Sequence, residues 1–124
     1  MADGRPLISV VDDDESVRES LPDLLKSFGY DVDAFASAEM FLRSTRLRDT
    51  RCLVLDIAMP GMTGPELQHE LAASGKSIPI VFITGVEDEA ARVRLMQQGA
   101  VDCLFKPFSD DALHQAVKLA LGLG

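Results

Sequence analysis

The chain has no tryptophan, one tyrosine and six phenylalanines among 124 residues, too few rings for a base-stacking platform. Positive charge is also short: twelve Lys and Arg face twenty Asp and Glu, a formal net charge of -8. Such a surface repels phosphate backbones and anionic lipid, so direct nucleic-acid binding by this chain and membrane attachment are not expected. No apolar run nears the ~18 to 20 residues of a membrane span. The opening "MADGRPLISVVDDD" turns acidic too soon for a secretory signal, and a cytoplasmic location is expected. The only cysteines, Cys52 and Cys103, both lie in strand-like apolar runs. They read as buried reduced thiols rather than a disulfide or metal pair. The two histidines, His69 and His114, fall on predicted helices and read as solvated or packed side chains. The remaining mix, 47% hydrophobic and 26% charged, is that of a globular domain. With no linker, repeat or low-complexity stretch, residues 1–124 are expected to form one domain.

What is present is an alternation of short apolar runs with helical periodicity. "LISVV" (7–11), "DVDAF" (31–35), "CLVLD" (52–56), "IPIVFIT" (78–84) and "VDCLF" (101–105) read as strands. Between them, Val17, Leu21, Leu24, Leu25 and Phe28 share one helix face, stopped by Gly29. Pro22 lies inside that helix, and a kink is expected there. Ser37 is placed to cap a second helix reaching about Arg46. Pro65 opens a third that Gly75 closes. Glu87 to Gln98 forms a fourth, and Ser109 caps a last one. Five strands greasy on both faces, each followed by a helix, predict a three-layer α/β sandwich: a doubly wound (βα)5 parallel sheet with helices on both faces.

Ligands of open parallel sheets bind beyond the carboxyl ends of the strands, and the polar residues collect there. The first strand ends at Asp12, Asp13 and Asp14. The third ends at Asp56, the fourth at Thr84 and the fifth at Lys106. Each alone has an ordinary explanation: strand-end Asp residues often cap the next helix, the role assigned here to Asp14 with Glu15, and Thr84 and Lys106 would pass as surface groups. Four such positions on one edge are harder to attribute to chance. Crowded carboxylates need a cation, and an all-oxygen set of Asp12, Asp13 and Asp56 suits Mg2+ best. Lys106 adds an ammonium and Thr84 a hydroxyl. Asp56 is thereby placed to act as a nucleophile toward a phosphoryl group.

The acidic set after the first strand, "LDIAMPGMTG", "FITG" and "FKPF" together resemble the receiver domain of two-component response regulators, over about residues 6 to 121. "VDDDESVRESL", "SAEMFL" and "ITGVEDEAARVRLMQQGAVDCLFKPF" resemble the FixJ type in particular. The resemblance implies a flavodoxin-like fold with sheet order 2-1-3-4-5. It implies Asp56 as phosphoacceptor, and Asp12 and Asp13 holding Mg2+ with the backbone carbonyl of Ala58. Thr84 and Lys106 would contact the phosphoryl group, which a sensor histidine kinase donates. Thr84 moving toward the phosphate would shift the face of the fourth helix and fifth strand, through which activated members often form a homodimer. Output would be transcriptional, through a DNA-binding domain absent from this chain. The sequence departs from the family where an aromatic residue often precedes the lysine by three positions: Cys103 stands there. A smaller switch through Phe105 or the "GVEDE" loop is the expectation. Two other functions compete. A stand-alone or degenerate receiver would act as a protein-interaction module. A haloacid-dehalogenase-type phosphatase would use the Asp12-x-Asp14 spacing after the first strand, leaving "LDIAMPGMTG" without a role. Otherwise the chain would be no enzyme beyond catalysing its own phosphorylation and dephosphorylation.

Overall fold

Five short runs build the centre of the molecule, the inner three almost wholly buried and the edge ones partly so. In the computed structural model, which describes residues 4–123, they form β1 (Leu7–Val11), β2 (Asp31–Phe35), β3 (Thr50–Asp56), β4 (Ile80–Thr84) and β5 (Asp102–Phe105). All neighbouring strands are parallel, in the order β2-β1-β3-β4-β5. Every position of β1 and β4 is buried, and in β3 only Arg51 is exposed. Strands with no solvent face require cover on both sides.

That cover comes from α1 (Glu15–Ser27), α2 (Ala38–Leu42), α3 (Gly64–Ala73), α4 (Glu89–Gln97) and α5 (Asp110–Ala120). Alternation along the strands splits the core in two. Leu53, Leu55 and Phe82 pack with Phe41 of α2, Leu67 and Leu71 of α3 and Leu95 of α4. Cys52, Val54, Val81 and Ile83 pack with Leu21 and Leu25 of α1 and Leu113 and Val117 of α5. The doubly wound sandwich and the implied strand order are both found. The domain limits 1 and 124, like the first residues of the amino-terminal stretch, lie outside the described residues.

Side-chain caps set the helix starts. Asp14, Ser37, Thr63, Asp88 and Ser109 each accept an amide hydrogen bond from the first turn, satisfying donors that a helix leaves orphaned. Helix α2 is shorter than its sequence indicates, ending at Leu42 rather than near Arg46. Ser44 is the reason: its hydroxyl takes the amide of Arg46 at 3.0 Å, a local bond that competes with helix continuation. A 3-10 turn at Leu47–Asp49 follows. Helix α1 runs unbroken across Pro22 from Glu15 to Ser27, so the proline does not end it.

The connection from β3 to α3 carries the tightest steric demand. It is closed at its base by Gly64 N–H donating to the Ile57 carbonyl at 2.9 Å. A Cβ on Gly64 would collide with the backbone carbonyl of Asp56 and crowd the Phe82 ring at 3.1 Å. Backbone cannot yield as a side chain does, so Gly64→Ala is expected to cost about 2–3 kcal/mol. Urea denaturation checks this; an unchanged midpoint would show that the loop relaxes freely.

Candidate functional site

The carboxyl ends of β1, β3, β4 and β5 place five of the sequence-derived residues, Asp12, Asp13, Asp56, Thr84 and Lys106, along one rim. Asp12 follows β1 and is fully buried. Its amide donates to the Phe35 carbonyl at 3.1 Å, extending the β1–β2 ladder by one residue. Its carboxylate accepts the Asp14 amide at 2.9 Å on Oδ1 and the Lys106 ammonium at 3.1 Å on Oδ2. Asp13 is exposed, while Asp56, the last residue of β3, is 6% exposed. Carboxylate oxygens of Asp12, Asp13 and Asp56 all lie within 4.8 Å of one another.

Burial pushes the Asp56 carboxyl up to about 7, and the neighbouring Asp12 charge adds to the rise, with Lys106 opposing it. An oxygen-only set of three acids at this spacing, two of them removed from water, fits a hard divalent cation such as Mg2+. Lys106 reaches the cluster because its own amide is tied to the Thr84 carbonyl at 2.7 Å. Its bond to Pro107 is cis. Thr84 is buried, and its hydroxyl accepts the Val86 amide at 3.1 Å. Ala58 lies two residues beyond β3 and is exposed.

Asp14 takes the capping role assigned to it. Its Oδ1 accepts from the Ser16 amide at 2.9 Å and the Ser16 hydroxyl at 2.7 Å, and these bonds hold its carboxyl below the usual range. His114 stacks on Phe28 with centroids 4.0 Å apart, and His69 is exposed on α3. Cys52 and Cys103 are free and buried; burial pushes the Cys52 thiol up to about 12, leaving it inert at neutral pH. Met59 is buried and Met62 packs against the same core.

Sequence reasoning missed two arginines. Arg18 on α1 donates to the Asp12 carbonyl at 3.1 Å. Arg92 on α4 reaches β5, donating to the Cys103 carbonyl at 3.4 Å and pairing with Asp102 at 3.3 Å. Both stand on helices of ordinary pattern, where nothing in the spacing marks these bonds.

Fold and rim together define a class, and the chain belongs to it: the response regulator receiver domain family, whose model matches residues 8–118. Nodulation protein W of Bradyrhizobium diazoefficiens is 48% identical over 96% of this chain and 52% of its own length. The transcriptional regulatory protein FixJ of Azorhizobium caulinodans is 44% identical over 93% of this chain and 54% of its own length. Among solved structures, the crystal structure of FixJ-N is 39% identical with a TM-score of 0.83, covering 94% of this chain and 93% of that one. The FixJ type read from the motifs is thus found. The chain spans about half the length of the curated relatives it matches. A phosphoacceptor role in two-component signalling fits this membership, and the phosphatase alternative has no family support. Among the described residues, no helix is long and apolar enough to cross a membrane.

The raised Asp56 carboxyl has a consequence for stability. The folded state holds its proton up to about pH 7, whereas an unfolded Asp releases it near pH 4. Stability from this group is therefore full below about pH 4 and lost as pH rises through about 7. Asp56→Asn is expected to stabilise the metal-free domain by about 2 kcal/mol at pH 8 and to flatten the pH slope above pH 5. Thermal melts in chelator across pH check this.

Proposed function

We propose that residues 1–124 form one receiver domain in which Asp56 accepts a phosphoryl group from a phosphohistidine of a sensor histidine kinase. The observation that carries the reading is the convergence of Asp12, Asp13 and Asp56 within 4.8 Å, with Lys106 bonded to Asp12. An Asp56 oxygen attacks phosphorus; the bond from phosphorus to the imidazole nitrogen breaks, and its electron pair stays on the histidine. Water later attacks the same phosphorus, and the Asp56 carboxylate leaves as phosphate is released. The chain is no turnover enzyme, since each cycle acts on its own side chain.

Asp12, Asp13 and Asp56 would hold Mg2+, with the Ala58 carbonyl as a further ligand. When bound, the ion supplies positive charge that offsets the transferring group and keeps Asp56 ionised. Lys106 contributes an ammonium to the same charge balance. Thr84 supplies a hydroxyl donor to a phosphoryl oxygen once it gives up its own bond with Val86. That movement would alter the loop 85–88 and the face of α4 and β5. Exposed Val86 and Val93 on this side support a homodimer formed through it on phosphorylation. The output would be transcriptional, in line with FixJ as a named regulator, through a DNA-binding segment outside this chain. The net charge of -8 keeps this chain itself off nucleic acid, and the setting would be the cytoplasm.

Intact mass after incubation with acetyl phosphate and Mg2+ should show one added phosphoryl group on the wild type and none on Asp56→Asn. A label that survives in Asp56→Asn, or one mapped to Asp12, would overturn the assignment. Because Asp56 must lose its proton to bind the ion, Mg2+ affinity should rise several-fold between about pH 6 and about pH 8. A flat calorimetric titration across that range would contradict the role of Asp56 as a ligand.

A further inference from the structure

The loop between β3 and α3 is gripped by a residue that belongs to neither element. Glu39, in the first turn of α2, accepts the backbone amide of Met62 on its Oε2 at 3.0 Å. Gly61, beside it, has φ +73, and a Cβ there would lie 2.8 Å from the same Oε2. Glycine is needed at 61 for the turn, and again for the approach of the carboxylate. A carboxylate receiving an amide proton makes a charge-assisted bond, stronger than a neutral one. Hydrogen bonds from its own amide and that of Met62 hold the Glu39 carboxyl below its usual range, so it is an anion at neutral pH.

The anchor is firm although α2 is short. Ala38 and Phe41 on either side of Glu39 are fully buried, and Ser37 caps the helix. The same chain segment serves Asp12 as well, since the Phe35 carbonyl takes the Asp12 amide. The loop's base is closed by the Ile57–Gly64 bond, and its far side by the Thr63–Glu66 capping box. Glu39 holds the crown between them, so the residues that follow Asp56 are fixed from outside their own loop.

We infer that Glu39 is a positioning residue for the phosphoacceptor loop: by holding the Met62 amide it fixes the backbone of residues 58–63 beside Asp56. The inference builds on the reading of Asp56 as acceptor and of the Ala58 carbonyl as part of the cation site. It assigns Glu39 no contact with phosphate or metal. Side chains that orient a site from behind typically change metal affinity by ten- to a hundredfold when lost, of order. Glu39 acts through a backbone loop, which places it at the lower end.

The test uses Glu39→Ala and Glu39→Gln in the same chain, with Mg2+ titrated by amide NMR and phosphorylation followed with acetyl phosphate. In Glu39→Ala the Met62 amide proton should move upfield and lose exchange protection, and Mg2+ should bind about tenfold more weakly. Phosphorylation should slow at low Mg2+ and recover at saturation. Glu39→Gln keeps an acceptor oxygen without the charge and should fall between; it also decides the matter if the alanine variant folds poorly. A released Met62 amide with unchanged Mg2+ affinity and phosphorylation rate would overturn the inference. Should the wild type take no phosphoryl group, the acceptor reading fails, and the amide and Mg2+ readouts still decide the role of Glu39.

Discussion

The rim is governed by an excess of negative charge that the fold itself creates. Three carboxylates converge within 4.8 Å, and two of them are shielded from water by the strands that carry them. Two like charges about 4 Å apart repel by roughly 4 kcal/mol at an effective dielectric of 20. Lys106 answers Asp12 at 3.1 Å and also opposes the charge on Asp56, but one ammonium against three carboxylates leaves the cluster with a formal excess of two negative charges. A proton on Asp56 is one resolution, which is why its carboxyl sits near 7. A divalent cation is the other, and its charge matches the deficit. The metal-free domain therefore stores an unfavourable arrangement that a hard cation bound there would relieve.

The surroundings of the cluster can be read as supports for holding this arrangement in place. Asp12 cannot swing away, because its amide, its carbonyl and both carboxylate oxygens are engaged. Lys106 cannot withdraw freely, because its amide is bonded to the Thr84 carbonyl. The segment after Asp56 is closed at its base and held at its crown. Each restraint comes from a different strand end or helix, so the site depends on the whole sheet being in register.

Much of this was legible in residue order, for identifiable reasons. Strand-end placement follows from runs such as "LISVV" and "CLVLD", whose continuous burial marks a parallel sheet and whose last residues mark its functional edge. Asp14 and Ser109 were readable as caps because capping is local. The end of α2 was not, since it turns on the Ser44 hydroxyl taking the Arg46 amide in preference to the helix. The contacts of Arg18, Glu39 and Arg92 were equally hidden: Glu39 and Met62 stand 23 positions apart. A helix-borne charge carries no sign of which backbone group it will meet across the fold.

Cys103 changes how the proposed movement of Thr84 would travel. Its side chain is 3% exposed and packed in the core, so it brings no ring that could rotate inward. The structure offers a different connection. Thr84 holds Val86 through its hydroxyl, two residues before Asp88 caps α4. Helix α4 is in turn tied to β5 by Arg92, through the Cys103 carbonyl and Asp102. Withdrawing the Thr84 hydroxyl would free the start of the loop while Arg92 would still hold the helix behind it. Gly85 gives that loop backbone freedom, with no atom near enough to crowd a Cβ. In this chain the coupling between phosphate and the α4–β5 face would therefore run through backbone and an arginine clasp, and its amplitude would be set by how far α4 can move without breaking the Arg92 bonds.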